Sequence, residues 1–145
     1  MADVMYPRSP KALLGGIAHL GRLIDKIRLR HAGHIQDYNY LTVGFDKYLL
    51  DLLALKGEDF ERRVLQGGTD DDILQWVKSH APHLSDEAVR QWNHRIFTSG
   101  PQDDAARGRF HARLKDIATK RGIVVETLPV VTTWADAIEL DEGRL

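Results

Sequence analysis

A chain of 145 residues has the length of one domain and closes a hydrophobic core without staples, and its lack of cysteine excludes disulfides, thiolate zinc sites, iron–sulfur clusters and cysteine nucleophiles. Hydrophobic content of 43% and charged content of 28% are ordinary globular values. The net charge of −1 is unevenly spread: residues 1–34 carry six Lys/Arg against two Asp, and residues 126–145 carry five acids against one Arg. Such a charge dipole suits an anion or acidic partner at the basic end, or an acidic tail folded back beside the basic helix.

Met1 to Pro7 has no basic segment followed by an apolar run, so no signal peptide is expected. The apolar stretch Leu49 to Leu55 is interrupted by Asp51 and falls far short of the roughly 20 residues that cross a bilayer. The expectation is a soluble, cytoplasmic protein without membrane contact.

Residues 1–8 read as extended. Ser9-Pro10 reads as a helix start, with a short first helix ending at Gly15-Gly16. A basic helix over 17–32 follows: Ile17, Leu20, Leu23, Ile24 and Ile27 form one apolar stripe, Arg22, Asp25, Lys26 and Arg28 lie off it, and Gly33 suits a left-handed cap. Residues 34–44 read as a tyrosine-rich loop. Phe45 to Leu55 and Glu58 to Gln66 are the next helices, stopped at Lys56-Gly57 and Gly67-Gly68. Thr69-Asp70-Asp71-Asp72 and Ser85-Asp86-Glu87 each combine a cap with acids on the positive end of a helix dipole. Pro82 and Gly100-Pro101 end the two helices they open. Asp103 to Arg121 is the longest helix, Ile123-Val124-Val125 a short extended segment, and Thr133 the cap of a last helix over 134–140. The fold class is all-α: a compact single domain of six to eight short helices with an acidic C-terminal segment.

Pro7-Arg8-Ser9-Pro10, Leu14-Gly15-Gly16 and Arg22-Leu23-Ile24-Asp25-Lys26 open a series of motifs. Thr69 through Val77, Trp92-Asn93 and Leu140-Asp141-Glu142-Gly143-Arg144 continue it. In this order they resemble the bacterial family of domain of unknown function 5069 over nearly the whole chain. The resemblance implies a small, mostly helical, bacterial and cytoplasmic protein. It carries no activity and no catalytic residue across.

His31, His34 and Asp37, and the pair His80 and His83, have ligand chemistry, but Gly33 and Pro82 break the helical spacing that would align them. No metal and no cofactor is expected. Trp76, Trp92 and Trp134 fall at apolar helix positions and read as core, with Trp134 also placed to anchor a partner. Nucleic acid is disfavoured by a pI near 6.6 and by the absence of zinc-finger, RNP or KH signatures. Gly15-Gly16 and Gly67-Gly68 lack the spacing and lysine of a P-loop.

Two functional readings follow. The leading one is a non-catalytic binding or interaction module that presents the basic helix 17–32 to a protein partner or a small anionic ligand. The alternative is a small enzyme or small-molecule-binding protein with an anion-binding or acid–base cleft around Arg22 and Asp25. There Arg22 orients Asp25, and His19, Lys26, His34, Asp37, Tyr38 and Tyr40 surround them. The same charges also fit an ordinary helix-surface network, because they lie three or four residues apart. Closure of loop 34–44 over the helix decides between these.

Overall fold

The computed structural model describes residues 5–35 and 37–145. Of the expected extended N-terminus, residues 1–4 lie outside them. Two compact units divide the chain, one ending at His94 and the other Arg95–Leu145. Among the described residues there are seven α-helices and one two-stranded sheet, which is the expected all-α class. No helix among them is long and apolar enough to cross a membrane.

The first unit opens differently from the sequence expectation. Ser9 and Pro10 start a turn, in which the Ser9 hydroxyl accepts from the Lys11 amide, rather than a helix. The chain then forms a hairpin, β1 (Leu13–Leu14) against β2 (Ile17–Ala18), with Leu14 opposite Ile17. Its two loop residues, Gly15 and Gly16, sit at φ 58° and 81°. Positive φ at both central positions is the turn that matches strand twist, and glycine adopts it without steric cost. The Gly-Gly pair is therefore a hairpin centre and not a helix stop. Trp92 and Asn93 hold the hairpin from α5 (Asp86–Thr98): Trp92 Nε1 donates to Ala18 O, Asn93 Nδ2 donates to Gly16 O, and Asn93 Oδ1 accepts from Ala18 N.

Because the hairpin takes Ile17 and Ala18, the basic helix is shorter than expected. It is α1 (Leu20–His31), and His19 at its N-cap adopts the left-handed conformation, φ 70°. Leu20, Leu23, Ile24 and Ile27 are fully buried, as the stripe requires. The helices α2 (Gly44–Leu53), α3 (Gly57–Leu65) and α4 (Asp70–His80) complete the unit. Thr69 and Asp72 form a reciprocal capping box at α4. Phe60 is fully buried, while Trp76 is half-buried and stacks on His80 at 4.2 Å.

In the second unit Asp103 caps α6 (Asp104–Arg121) through Ala106 N, and Gly122 ends it in the left-handed conformation. The β-branched run at 123–125 forms no strand: Val124 is extended and Val125–Thr127 closes a 3-10 turn. Thr133 caps α7 (Trp134–Asp141). Ile117, Ala118, Leu128 and Leu140 form the local core, and Trp134 packs edge-on against Phe110. Asp141 pairs with Lys120, and Glu139 and Glu142 pair with Arg144, all within this unit.

Candidate functional site

Helix α1 carries Arg22, Lys26 and Arg30 at four-residue spacing, one face of a 3.6-residue helix. Three successive loop residues meet them in the same order. The Arg22 guanidinium lies 5.6 Å from the centre of the Tyr38 ring, Lys26 Nζ donates to Asn39 O at 3.1 Å, and the Arg30 guanidinium lies 4.2 Å over the Tyr40 ring. Stacking of cations on aromatic faces and charge-assisted hydrogen bonds hold this ladder together. The loop thus folds back along α1. Tyr40 is tied further by its hydroxyl, which donates to Glu61 of α3. Burial and that neighbouring carboxylate push the Tyr40 phenol above its usual range.

Beneath the loop lies a buried polar centre. Asp46, in the first turn of α2, is 1% exposed. Its Oδ1 accepts from His19 Nε2 at 2.6 Å and from Lys26 Nζ at 3.0 Å, and its Oδ2 accepts from the Leu41 amide at 3.1 Å. Taking these groups out of water costs several kcal/mol per ion, so the centre persists only through this close mutual pairing. Burial alone would raise the Asp46 carboxyl, but the His19 hydrogen bond and the Lys26 ammonium outweigh it and hold it below the usual carboxylate range. Burial lowers the His19 imidazole and outweighs the opposing pull of Asp46, and the nearby Lys26 and Arg22 charges lower it further. His19 is therefore neutral at pH 7. Its one ring proton is on Nε2, facing the carboxylate, and Nδ1 carries a lone pair. That Nδ1 is buried and has no hydrogen-bond partner among the described residues.

A second network ties the N-terminal segment to α1. The Arg8 amide and Nε both donate to Asp25 Oδ2 at 2.9 Å, and Nη2 donates to Asp25 Oδ1 at 3.1 Å. Arg8 Nη1 reaches Asp70 Oδ2 at 2.9 Å, and Arg28 Nη1 reaches the other Asp70 oxygen at 3.1 Å. Gly21 lets the guanidinium lie flat on the helix, since a Cβ there would stand 2.9 Å from Arg8 Cζ. Burial would raise Asp70, and the hydrogen bonds from Arg8 and Arg28 more than reverse it.

The expected site residues thus separate. His19 and Lys26 meet in the buried centre. Arg22, 2% exposed, faces Tyr38 and donates to Arg8 O. Asp25 is oriented by Arg8 and not by Arg22, because the N-terminal segment lies along that side of α1. Tyr38 and Tyr40 line the helix ladder. His34 and Asp37 are exposed and contribute no side chain to either network. His31 faces Glu61 at 3.5 Å, and His83 Nε2 lies 3.0 Å from Leu52 O. No three metal-ligating side chains converge among the described residues.

Asp46, Arg8, Asp70 and Glu61 are the members that the sequence reading missed. Asp46 has a detectable signal: with Leu49, Leu50 and Leu53 it occupies the buried stripe of α2, an anomalous place for a carboxylate. Arg8 has none, since its partners lie 17 and 62 residues away.

Open grooves lie in the first unit. One of about 550 Å³ runs between Leu41 and Thr42 of the loop, Leu50 and Asp51 of α2, and Gly57 and Glu61 of α3. Leu41 belongs to both features, because its side borders the groove and its amide bonds Asp46. It holds φ 57°, a strained value for a branched apolar residue. The second groove, about 500 Å³, runs beside the hairpin between Gly16, Lys78, Ser85, Arg90 and Asn93.

The chain belongs to the family described as Domain of unknown function (DUF5069), whose family model matches residues 4–144. No curated protein matches it.

Proposed function

We propose that this family member is a small-molecule-binding protein whose ligand lies in the groove bordered by Leu41, α2 and α3. The observation that carries this reading is the double position of Leu41. It walls the groove while its amide, held at positive φ, caps the buried His19–Lys26–Asp46 centre. Strained backbone and buried, charge-bearing groups concentrate at functional sites, and a concave surface next to them is the natural place for a ligand. The reading develops the cleft alternative and moves its chemistry from Arg22 and Asp25 to His19, Lys26 and Asp46.

The exposure of α1 weighs against the basic helix as a contact surface. Arg22 and Lys26 are buried, Arg28 is engaged by Asp70, and Arg30 stacks on Tyr40. A protein or nucleic-acid partner would find few unengaged cations there. A cytoplasmic setting accords with the absence of cysteine.

Amide chemical-shift mapping tests the reading. Titration with ethylene glycol, acetate and methylammonium should move the amides of Leu41, Thr42, Leu50, Asp51 and Gly57 with at least one probe. Shifts confined to the exposed end of α1, or spread evenly over the surface, would remove the groove from consideration.

A further inference from the structure

We infer that Glu61 is the recognition residue of the groove beside Leu41 and that the ligand there is a small protonated primary amine with an aliphatic body. This rests on the small-molecule reading above and names the chemistry of its ligand.

A polar group selects a ligand best when it is fixed before the ligand arrives. Glu61 is such a group. It lines the groove, and its side chain is 28% exposed, so it is both reachable and partly withdrawn from water. Its hydrogen bond and its ion pair run through one oxygen: Oε2 accepts from the Tyr40 hydroxyl and lies 3.5 Å from His31 Nε2. Tyr40 is itself held by the Arg30 guanidinium, 4.2 Å over its ring. Oε1 takes no donor from the described residues, which leaves it to solvent or to a ligand. No lysine or arginine among the described residues pairs with this carboxylate, since Arg30 stacks on the phenol ring instead. The negative charge is thus positioned by a neutral hydroxyl and is not cancelled by a lysine or arginine.

The cations of the groove do not compete on equal terms. Lys47 Nζ reaches both Asp51 oxygens at 3.2 Å, so that pair is internally neutral. Lys56 is exposed and no partner among the described residues fixes it; ordering its long side chain on an anion costs rotamer freedom. Glu58 stands three residues before Glu61 on α3, on the same helical face, and adds a second negative charge to the lining. Leu41, Leu50 and Leu55 supply apolar wall. An alkyl chain lies on these leucines while its ammonium donates to Glu61 in a charge-assisted hydrogen bond. A carboxylate in the same place meets the charges of Glu58 and Glu61, and an alcohol forgoes the charge assistance.

Carboxyl ¹³C and amide ¹⁵N spectra of the intact protein, titrated with n-butylammonium, butyrate and 1-butanol, test this. n-Butylammonium should shift the Glu61 side-chain carboxyl and the amides of Leu41, Thr42 and Leu50 along one saturable curve. Glu61→Gln keeps an acceptor for the Tyr40 hydroxyl and should weaken that binding about tenfold. Glu58→Gln should weaken it less. An unmoved Glu61 carboxyl, unchanged binding in Glu61→Gln, or butyrate or 1-butanol bound as tightly as n-butylammonium overturns the inference. The wild-type carboxyl titration decides the matter even where Glu61→Gln fails to fold. The amides separate the two failures. If butyrate or 1-butanol moves them and n-butylammonium does not, the groove binds but Glu61 does not select; if no probe moves them, the small-molecule reading falls too.

Discussion

Arg22 and Asp25, three residues apart on α1, hold opposite ends of the main chain of one residue. Arg22 Nη1 donates to Arg8 O at 3.1 Å, and Asp25 Oδ2 accepts from Arg8 N at 2.9 Å. Together they fasten the N-terminal segment. Arg8 returns the grip with its guanidinium on Asp25 and Asp70.

Arg8→Ala keeps both main-chain bonds and deletes the fork. Arg8 is about one-third exposed and Asp25 about one-quarter, so solvent screening limits the loss to about 1 kcal/mol. Urea denaturation should show this modest decrease with the slope unchanged. A loss above about 3 kcal/mol would mean that the side chain does more than fasten.

Asp46→Asn should be far more damaging, because it leaves the buried Lys26 ammonium without its counter-charge; about 3–5 kcal/mol is expected. The double variant Asp46→Leu with Lys26→Met removes both charges and should recover much of that loss. Equal destabilisation of the single and double variants would show that the stranded ammonium is not what destabilises Asp46→Asn.

The His19 imidazole also makes stability depend on pH. Its folded value lies below the ordinary 6.5, so the unfolded chain takes up a proton that the folded chain refuses. The resulting stability is present above about pH 6.5 and is lost as pH falls toward the folded value. The other histidines are exposed. Denaturation midpoints followed from pH 7.5 to 5 should decline in the wild type and stay flatter in His19→Gln. Parallel curves would contradict the assignment.

The hairpin centre gives a paired comparison. Gly16→Ala meets nothing within 4 Å and carries only the backbone cost of φ 81°, about 1–2 kcal/mol. Gly15→Ala carries a similar cost and also drives a Cβ to 2.5 Å from Leu74 Cδ2. Thermal denaturation should rank Gly15→Ala below Gly16→Ala; the reverse order would mean that Leu74 moves aside freely.

The helix starts at Thr69, Ser85, Asp103 and Thr133 were legible because a cap and the amides it satisfies lie within a few residues. The apolar stripes of α1 and α2 were legible for the same reason of local period. The start of α1 was not: Gly-Gly stops a helix or centres a hairpin, and the choice depends on Trp92 and Asn93, more than 70 residues away. His19 and Lys26 stand out by residue type and by their three- and four-residue spacing from Arg22. Their shared partner Asp46 stayed hidden because it stands 27 and 20 residues along the chain, brought near only by the return of the loop.

That return sets a length requirement. Tyr38, Asn39 and Tyr40 meet Arg22, Lys26 and Arg30 in parallel order, so the chain leaving His31 must first travel back to the level of Arg22. Nine helical residues rise about 13.5 Å, and adding about 10 Å of sideways offset for a packed segment makes the span about 17 Å. The seven peptide steps from His31 to Tyr38 reach about 23–25 Å at full extension. The connection from His31 to Tyr38 is therefore a tether with about 6–8 Å of slack. The span tolerates the loss of one residue, while Ile35 within it is a buried apolar side chain. Loss of three leaves the tether too short to bring Tyr38 to Arg22, and all three rungs are lost together.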